Sequence, residues 1–113
     1  MLPDGRRLGA HLPIADGMVK AADRAAEIGA TALQVFSDNP TAWQRRAEPS
    51  PEIAAFRDAL ADRDIAPLVV HASYLINLAG ADDVLRDRSI ELLVSELEAA
   101  ERLGARIVNV HAG

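Results

Sequence analysis

The sequence predicts an α/β fold of four parallel strands and three main helices in the order (βα)₃β, half of an eight-stranded (β/α)₈ barrel. Three observations carry this reading. Short apolar runs alternate with longer stretches of helical period, the pattern of βαβ units. Glycines stand where the first and third helices must stop before the following strand. Finally, right-handed crossovers place all the helices on one side of a sheet that curls toward a barrel.

The first strand is read over residues 7–12, Arg-Leu-Gly-Ala-His-Leu. Met18, Ala22, Ala25 and Ile28 then recur at helical intervals, and Gly29 falls where a left-handed C-cap belongs. The second strand covers residues 32–36. The second helix opens with Ser50 as N-cap and Pro51 in the first turn, and Ile53, Phe56 and Leu60 form its buried stripe. The third strand is residues 67–71, and the third helix carries Ile90, Leu93, Leu97 and Ala100 on one face and ends at Gly104. The fourth strand is residues 106–111. Ala25-Ala26-Glu27-Ile28-Gly29-Ala30 and Ala99-Ala100-Glu101-Arg102-Leu103-Gly104-Ala105 echo one another as helix, glycine stop and strand. Any αβ junction favours this order, so the echo marks shared architecture, not duplication.

A chain of 113 residues, 50% hydrophobic and 26% charged, fits one globular domain. Its net charge of -5 argues against a broad basic surface, although a few arginines and bound cations on one face could still meet a polyanion. With no cysteine, any metal must be held by histidine and carboxylate. No apolar run approaches the roughly 20 residues of a membrane span, and the start lacks a signal-peptide core, so no membrane partner and a cytoplasmic location are expected. An open half-barrel exposes two strand edges and an uncovered inner face. Residues 1–113 are therefore expected to be the N-terminal half of a single barrel domain, truncated, or else a half that pairs with a second copy.

The chemistry concentrates at strand ends. His71 closes Val69-Val70-His71 and His111 closes Val108-Asn109-Val110-His111. In a parallel barrel the carboxyl ends of the strands form the active-site face, so both imidazoles would stand there and could share a zinc ion. Taken alone they are read more simply as two partly buried histidines bonded to local partners. His11, also at a strand end, reads more simply as a packed or supporting histidine.

Three segments then carry a resemblance. Gly9-Ala10-His11 with Asp16-Gly17 and the run Ala25 to Ala32 looks like the opening of endonuclease IV proteins, a family of apurinic/apyrimidinic endonucleases on TIM barrels of the xylose isomerase-like superfamily. His71-Ala72-Ser73-Tyr74-Leu75-Ile76-Asn77-Leu78 resembles the family's His-x-Ser-Tyr-Leu-Ile-Asn-Leu motif, and Asn109-Val110-His111-Ala112-Gly113 its Asn-x-His-x-Gly strand end. An eight-residue motif is far more specific than a lone histidine.

The resemblance implies a zinc-dependent DNA-repair hydrolase that cuts the phosphodiester 5′ to abasic sites in duplex DNA. His71 and His111 would then be two ligands of one ion in a three-zinc cluster whose other ligands lie on later strands, and the 113-residue chain alone is expected to be inactive. It further implies that Tyr74 and Leu75 enter the minor groove, although each could instead pack at the barrel mouth. Asn39 and Trp43 keep the pattern of a second DNA-facing loop, Trp43 alternatively anchoring that loop. Thr41 stands where the family carries an inserting arginine, and Arg45 or Arg46 could substitute or simply form a solvated surface. His11, Asn77 and Asn109 are read as polar neighbours that orient the metal-binding histidines.

Two other functions share the fold. One is a metal-dependent sugar isomerase or epimerase of the same barrel superfamily. The other is a non-catalytic half-barrel that homodimerises to complete eight strands.

Overall fold

A computed structural model describes residues 2–113. The elements alternate as expected: β1 (Gly9–His11), α1 (Met18–Glu27), β2 (Ala32–Phe36), α2 (Ile53–Asp62), β3 (Leu68–His71), α3 (Asp83–Leu103) and β4 (Ile107–Asn109). The four strands form one sheet in the order β1-β2-β3-β4, every neighbouring pair parallel. This is the (βα)₃β arrangement of a partial (β/α)₈ TIM barrel.

The strands alternate their side chains between two unequal faces, as the two-residue period of a strand requires. Leu33, Val35, Leu68 and Val70 are buried and meet Ala22 and Ala25 of α1, Phe56 and Leu60 of α2, and Ala100 and Leu103 of α3 in one apolar core. The opposite face carries His11, Gln34, Phe36, Val69, His71, Ile107 and Asn109, which are partly or fully exposed. The smallest dimension of the molecule is 19 Å, the thickness of one sheet and one helix layer packed about 10 Å apart. Helices therefore cover one face of the sheet, and the face that would line a barrel interior stays open.

Several expected details shift for identifiable reasons. β1 and β4 are shorter than residues 7–12 and 106–111, because each is an edge strand with a neighbour on one side only. At the start of β1, side-chain bonds replace the ladder: the Leu8 amide donates to Thr31 Oγ1, and Arg7 donates to the Thr31 and Asp64 carbonyls. Ile28 is 58% exposed where burial was expected, since α1 ends at Glu27 and Ile28 is its cap, while Ala21 joins the buried residues of the helix. α2 begins at Ile53 instead of Pro51, and Ser50 acts one turn earlier by accepting the Glu52 amide through its hydroxyl.

The largest correction concerns α3. Its buried stripe is Ser89, Leu92, Glu96, Ala100 and Leu103, whereas Ile90 and Leu97 are 47% and 49% exposed. Apolar period alone selects the neighbouring stripe, because two of the inward positions are polar. Glycine stops at Gly29 and Gly104 are as expected, both with left-handed φ near +80°.

The pairing of β1 with β2 is tight at Gly9, where a Cβ would stand 2.8 Å from the Ala32 carbonyl oxygen of its register partner. Gly9→Ala is therefore expected to destabilise the chain by about 1–3 kcal/mol through forced strand separation. Urea unfolding checks this, and a midpoint equal to that of the unsubstituted chain would mean that β1 yields without cost.

Candidate metal centre and the loops around it

Parallel pairing decides which side chains meet. Phe36, His71 and Asn109 are register partners across β2, β3 and β4, and His11, Gln34, Val69 and Ile107 form the next row toward the amino ends. His111 lies two residues past the end of β4 rather than within it. Its ring nevertheless folds back over β3, so that His71 Nε2 and His111 Nε2 are 3.2 Å apart with ring centroids separated by 5.1 Å.

The His71 ring has a defined orientation. Its Nδ1 lies 2.7 Å from the Ala72 carbonyl oxygen, so Nδ1–H donates and Nε2 carries the lone pair directed at His111. Two nitrogens bound about 2.0–2.1 Å from one tetrahedral ion stand about 3.3 Å apart. The pair therefore has the separation of two ligands to a single ion, with His71 held by a backbone carbonyl as metal-binding histidines commonly are. Among the described residues no group of three or more His, Cys, Asp or Glu side chains is gathered to complete a shell.

His11 joins this face without joining the pair. Its ring packs edge-on against Phe36 at 4.7 Å and lies 6.1 Å from that of His71. Its Nδ1 accepts from Gln34 Nε2 at 2.8 Å, while Gln34 Oε1 accepts from Asn109 Nδ2 at 3.3 Å. Gln34 thus bridges β1 and β4 across the open face, and Asn109 supports His11 instead of His71. The sequence reading missed Gln34, whose signal was a lone amide inside the apolar run Ala32 to Phe36. Asn77 makes no hydrogen bond to a histidine: its backbone amide donates to Ser89 Oγ, and its side chain lies beside Gly113.

Two loops rise beside the histidines. In the β3–α3 loop, Tyr74 is 54% exposed, Ile76 is buried, and Leu75 packs against the cluster of Ala72, Ile76 and Leu92. In the β2–α2 loop, Asn39 is exposed and its Oδ1 accepts from both the amide and the hydroxyl of Thr41, closing a local turn. Trp43 is the loop's anchor: it joins that apolar cluster and is covered by the Arg88 guanidinium at 4.4 Å. Arg45 is not a solvated surface residue. Its Nη1 donates to Glu96 Oε1 at 2.5 Å, and its Nη2 donates to the carbonyls of Asn39 and Ala42. Glu96 is 2% exposed and also accepts from Ser37 Oγ, so it fastens this loop to α3. Burial pushes the Glu96 carboxyl up, opposed by the Ser37 hydrogen bond and the Arg45 charge. Arg46 remains exposed.

Residues 22–113 match the family described as xylose isomerase-like TIM barrel, and the chain belongs to that family. Within it the chain is similar to endonuclease 4 proteins. It is 40% identical over 107 residues to a probable endonuclease 4 of Haloarcula marismortui, covering 95% of this chain and 39% of the relative. A probable endonuclease 4 of Halothermothrix orenii is 42% identical, with 95% and 38% covered. The crystal structure of endonuclease IV from Thermus thermophilus superposes with a TM-score of 0.86 at 41% identity, over 96% of this chain and 40% of that one. The chain thus spans about two fifths of the length of these relatives. D-psicose 3-epimerase, solved in the presence of D-fructose, has a TM-score of 0.69 at 15% identity over 93% of this chain and 37% of that one, a likeness of fold alone.

Desolvation and the neighbouring His71 hold the His11 pKa below its ordinary 6.5. A histidine with a depressed pKa contributes stability that is fully present above the unfolded value and is lost as pH falls through the folded one. NMR titration is expected to give His11 a midpoint below 6.5, accompanied by falling stability on the acid side. A midpoint at or above the ordinary value would contradict this environment.

Proposed function

We propose that this chain is the N-terminal half of a single barrel domain in a zinc-dependent DNA-repair endonuclease. The enzyme would hydrolyse the phosphodiester 5′ to abasic sites in duplex DNA and leave a 3′-hydroxyl. The observation that carries the proposal is the 3.2 Å approach of His71 Nε2 and His111 Nε2 at the carboxyl edge of the sheet. Similarity to endonuclease 4 proteins at about 40% identity over nearly the whole chain supports the same reading.

In this reading His71 and His111 hold one zinc, and the further ligands of a three-ion cluster come from outside residues 1–113. Zinc supplies Lewis acidity and positive charge for phosphodiester hydrolysis. The chain's own residues do the rest of what falls to this half. The Ala72 carbonyl keeps His71 in the tautomer that presents Nε2. Gln34 and Asn109 hold the polar row beside the pair. Tyr74, exposed on the loop that follows His71, is the wedge that meets the minor groove where a base is missing, a place where unstacking costs least. Leu75 backs it from the apolar cluster, and Asn39 offers polar contact to the DNA backbone from the neighbouring loop.

Zinc titration tests the metal assignment. The chain is expected to bind zinc, and His71→Ala and His111→Ala are each expected to weaken binding by about tenfold or more. Unchanged affinity in either variant would remove that residue from the site. On a duplex carrying one abasic site, the 113-residue chain alone is expected to be inactive. Chelator-sensitive cutting by it would show that no further ligands are needed. Tyr74→Ala should weaken binding to abasic duplex by roughly tenfold, about 1.4 kcal/mol, with zinc affinity unchanged; equal binding by the variant would exclude the wedge.

A further inference from the structure

We infer that Glu96 and Arg45 are positioning residues, a buried carboxylate and a partly buried guanidinium whose pairing holds the β2–α2 and β3–α3 loops together as one preformed DNA-facing surface. This rests on the proposed function and deepens it, since neither residue is hydrogen-bonded to the histidine pair. A carboxylate that is 2% exposed in the middle of an amphipathic helix is costly unless its oxygens are fully engaged. Both are: Oε1 accepts from Arg45 and Oε2 from Ser37, the first residue after β2.

Arg45 then extends the connection outward. Its planar fork reaches Glu96 with one nitrogen and the Asn39 and Ala42 carbonyls with the other, so one guanidinium closes the loop over residues 39–45. The turn it closes displays Asn39 and Thr41. Trp43, which follows that turn, is pinned from outside by Arg88 and from inside by Ala72, Ile76 and Leu92. The connection crosses to the second loop at Pro40, whose carbonyl accepts from Ser73 Oγ at 2.6 Å. Ser73 is buried, and its hydroxyl also accepts the Leu75 amide, which fixes the backbone on either side of Tyr74. A continuous path thus runs from Glu96 through Arg45 and Pro40 to Ser73 and the base of Tyr74.

Such a path matters for binding. A loop ordered before it meets its ligand does not lose that conformational freedom on binding. This applies with particular force here because Thr41 offers no long side chain to compensate for a mobile loop.

The test uses the 113-residue chain, with Arg45→Lys as the principal variant. Lysine keeps the positive charge but lacks the planar fork, so it cannot serve Glu96 and two carbonyls together. Hydrogen exchange should then quicken by about tenfold or more at the amides of Thr41, Arg46 and Leu75, while those of Val35 and Val70 are unchanged. Anisotropy at low salt, with duplexes that contain or lack one abasic site, should show the preference for the abasic duplex falling by about tenfold, with the zinc affinity retained. Glu96→Gln, which preserves a side-chain oxygen as acceptor for Arg45, should retain more of that preference than Glu96→Ala. Faster loop exchange with an unaltered preference would overturn the inference and leave the pair with a purely structural role. Slower or unchanged exchange in both loops would overturn the coupling itself. If the unsubstituted chain showed no preference for the abasic duplex, the proposed function would fail for this half and the inference with it, a result distinguishable because it precedes any substitution.

Discussion

Everything at the carboxyl edge depends on parallel pairing in the order β1-β2-β3-β4. Parallel strands all end on the same side, and each crossover helix returns the chain to the opposite end before the next strand begins. The loops that follow β2, β3 and β4 therefore converge although their residues are far apart in sequence. His71 and His111 are 40 positions apart and their Nε2 atoms meet at 3.2 Å. An antiparallel partner for β3 would have sent the next chain end to the other edge and left one imidazole alone.

Two kinds of polar arrangement occupy this framework. On the open face, histidine and amide side chains stand in rows across the strands, accessible and joined by hydrogen bonds that fix ring orientation. Behind the loops, Glu96 and Arg45 are withdrawn from solvent and committed to one another. A net charge of -5 and an arginine committed to Glu96 leave the mouth with little free cationic character from this chain: Arg46 is exposed, while Arg88 lies over Trp43. In the proposed enzyme, attraction to a phosphate would depend heavily on bound cations, whose charge is concentrated where the imidazoles point.

Much of this architecture was legible in the sequence because it rests on local signals. Gly29 and Gly104 stop helices in a left-handed conformation that other residues disfavour, and the short apolar runs that hold Leu33, Val35, Leu68 and Val70 mark strands. The paired histidines were legible as strand-end residues that could share one ion, although His111 lies beyond β4 and its ring folds back to reach His71. What escaped was polar and long-range. Glu96 falls outside the apolar stripe read along α3, and only the arrival of Arg45 and Ser37 from a distant loop makes its burial tolerable. That same exchange rotated the predicted stripe, exposing Ile90 and Leu97 and burying Ser89 and Glu96.

The unequal faces of the sheet bear on what the fold needs next. The helix-facing side has a contiguous core in which Val35, Phe56 and Val70 are fully buried. The other side presents Val69, the half-exposed Ile107 and the histidine row, flanked by two strand edges whose backbone groups lack a second partner. In a closed barrel such side chains fill the interior in layers, and the edges disappear when the first strand meets the last. The core of this chain can hold its own elements together, while its candidate chemistry stands on the surface that a closed barrel would complete. Core packing and candidate chemistry thus occupy opposite faces of one sheet.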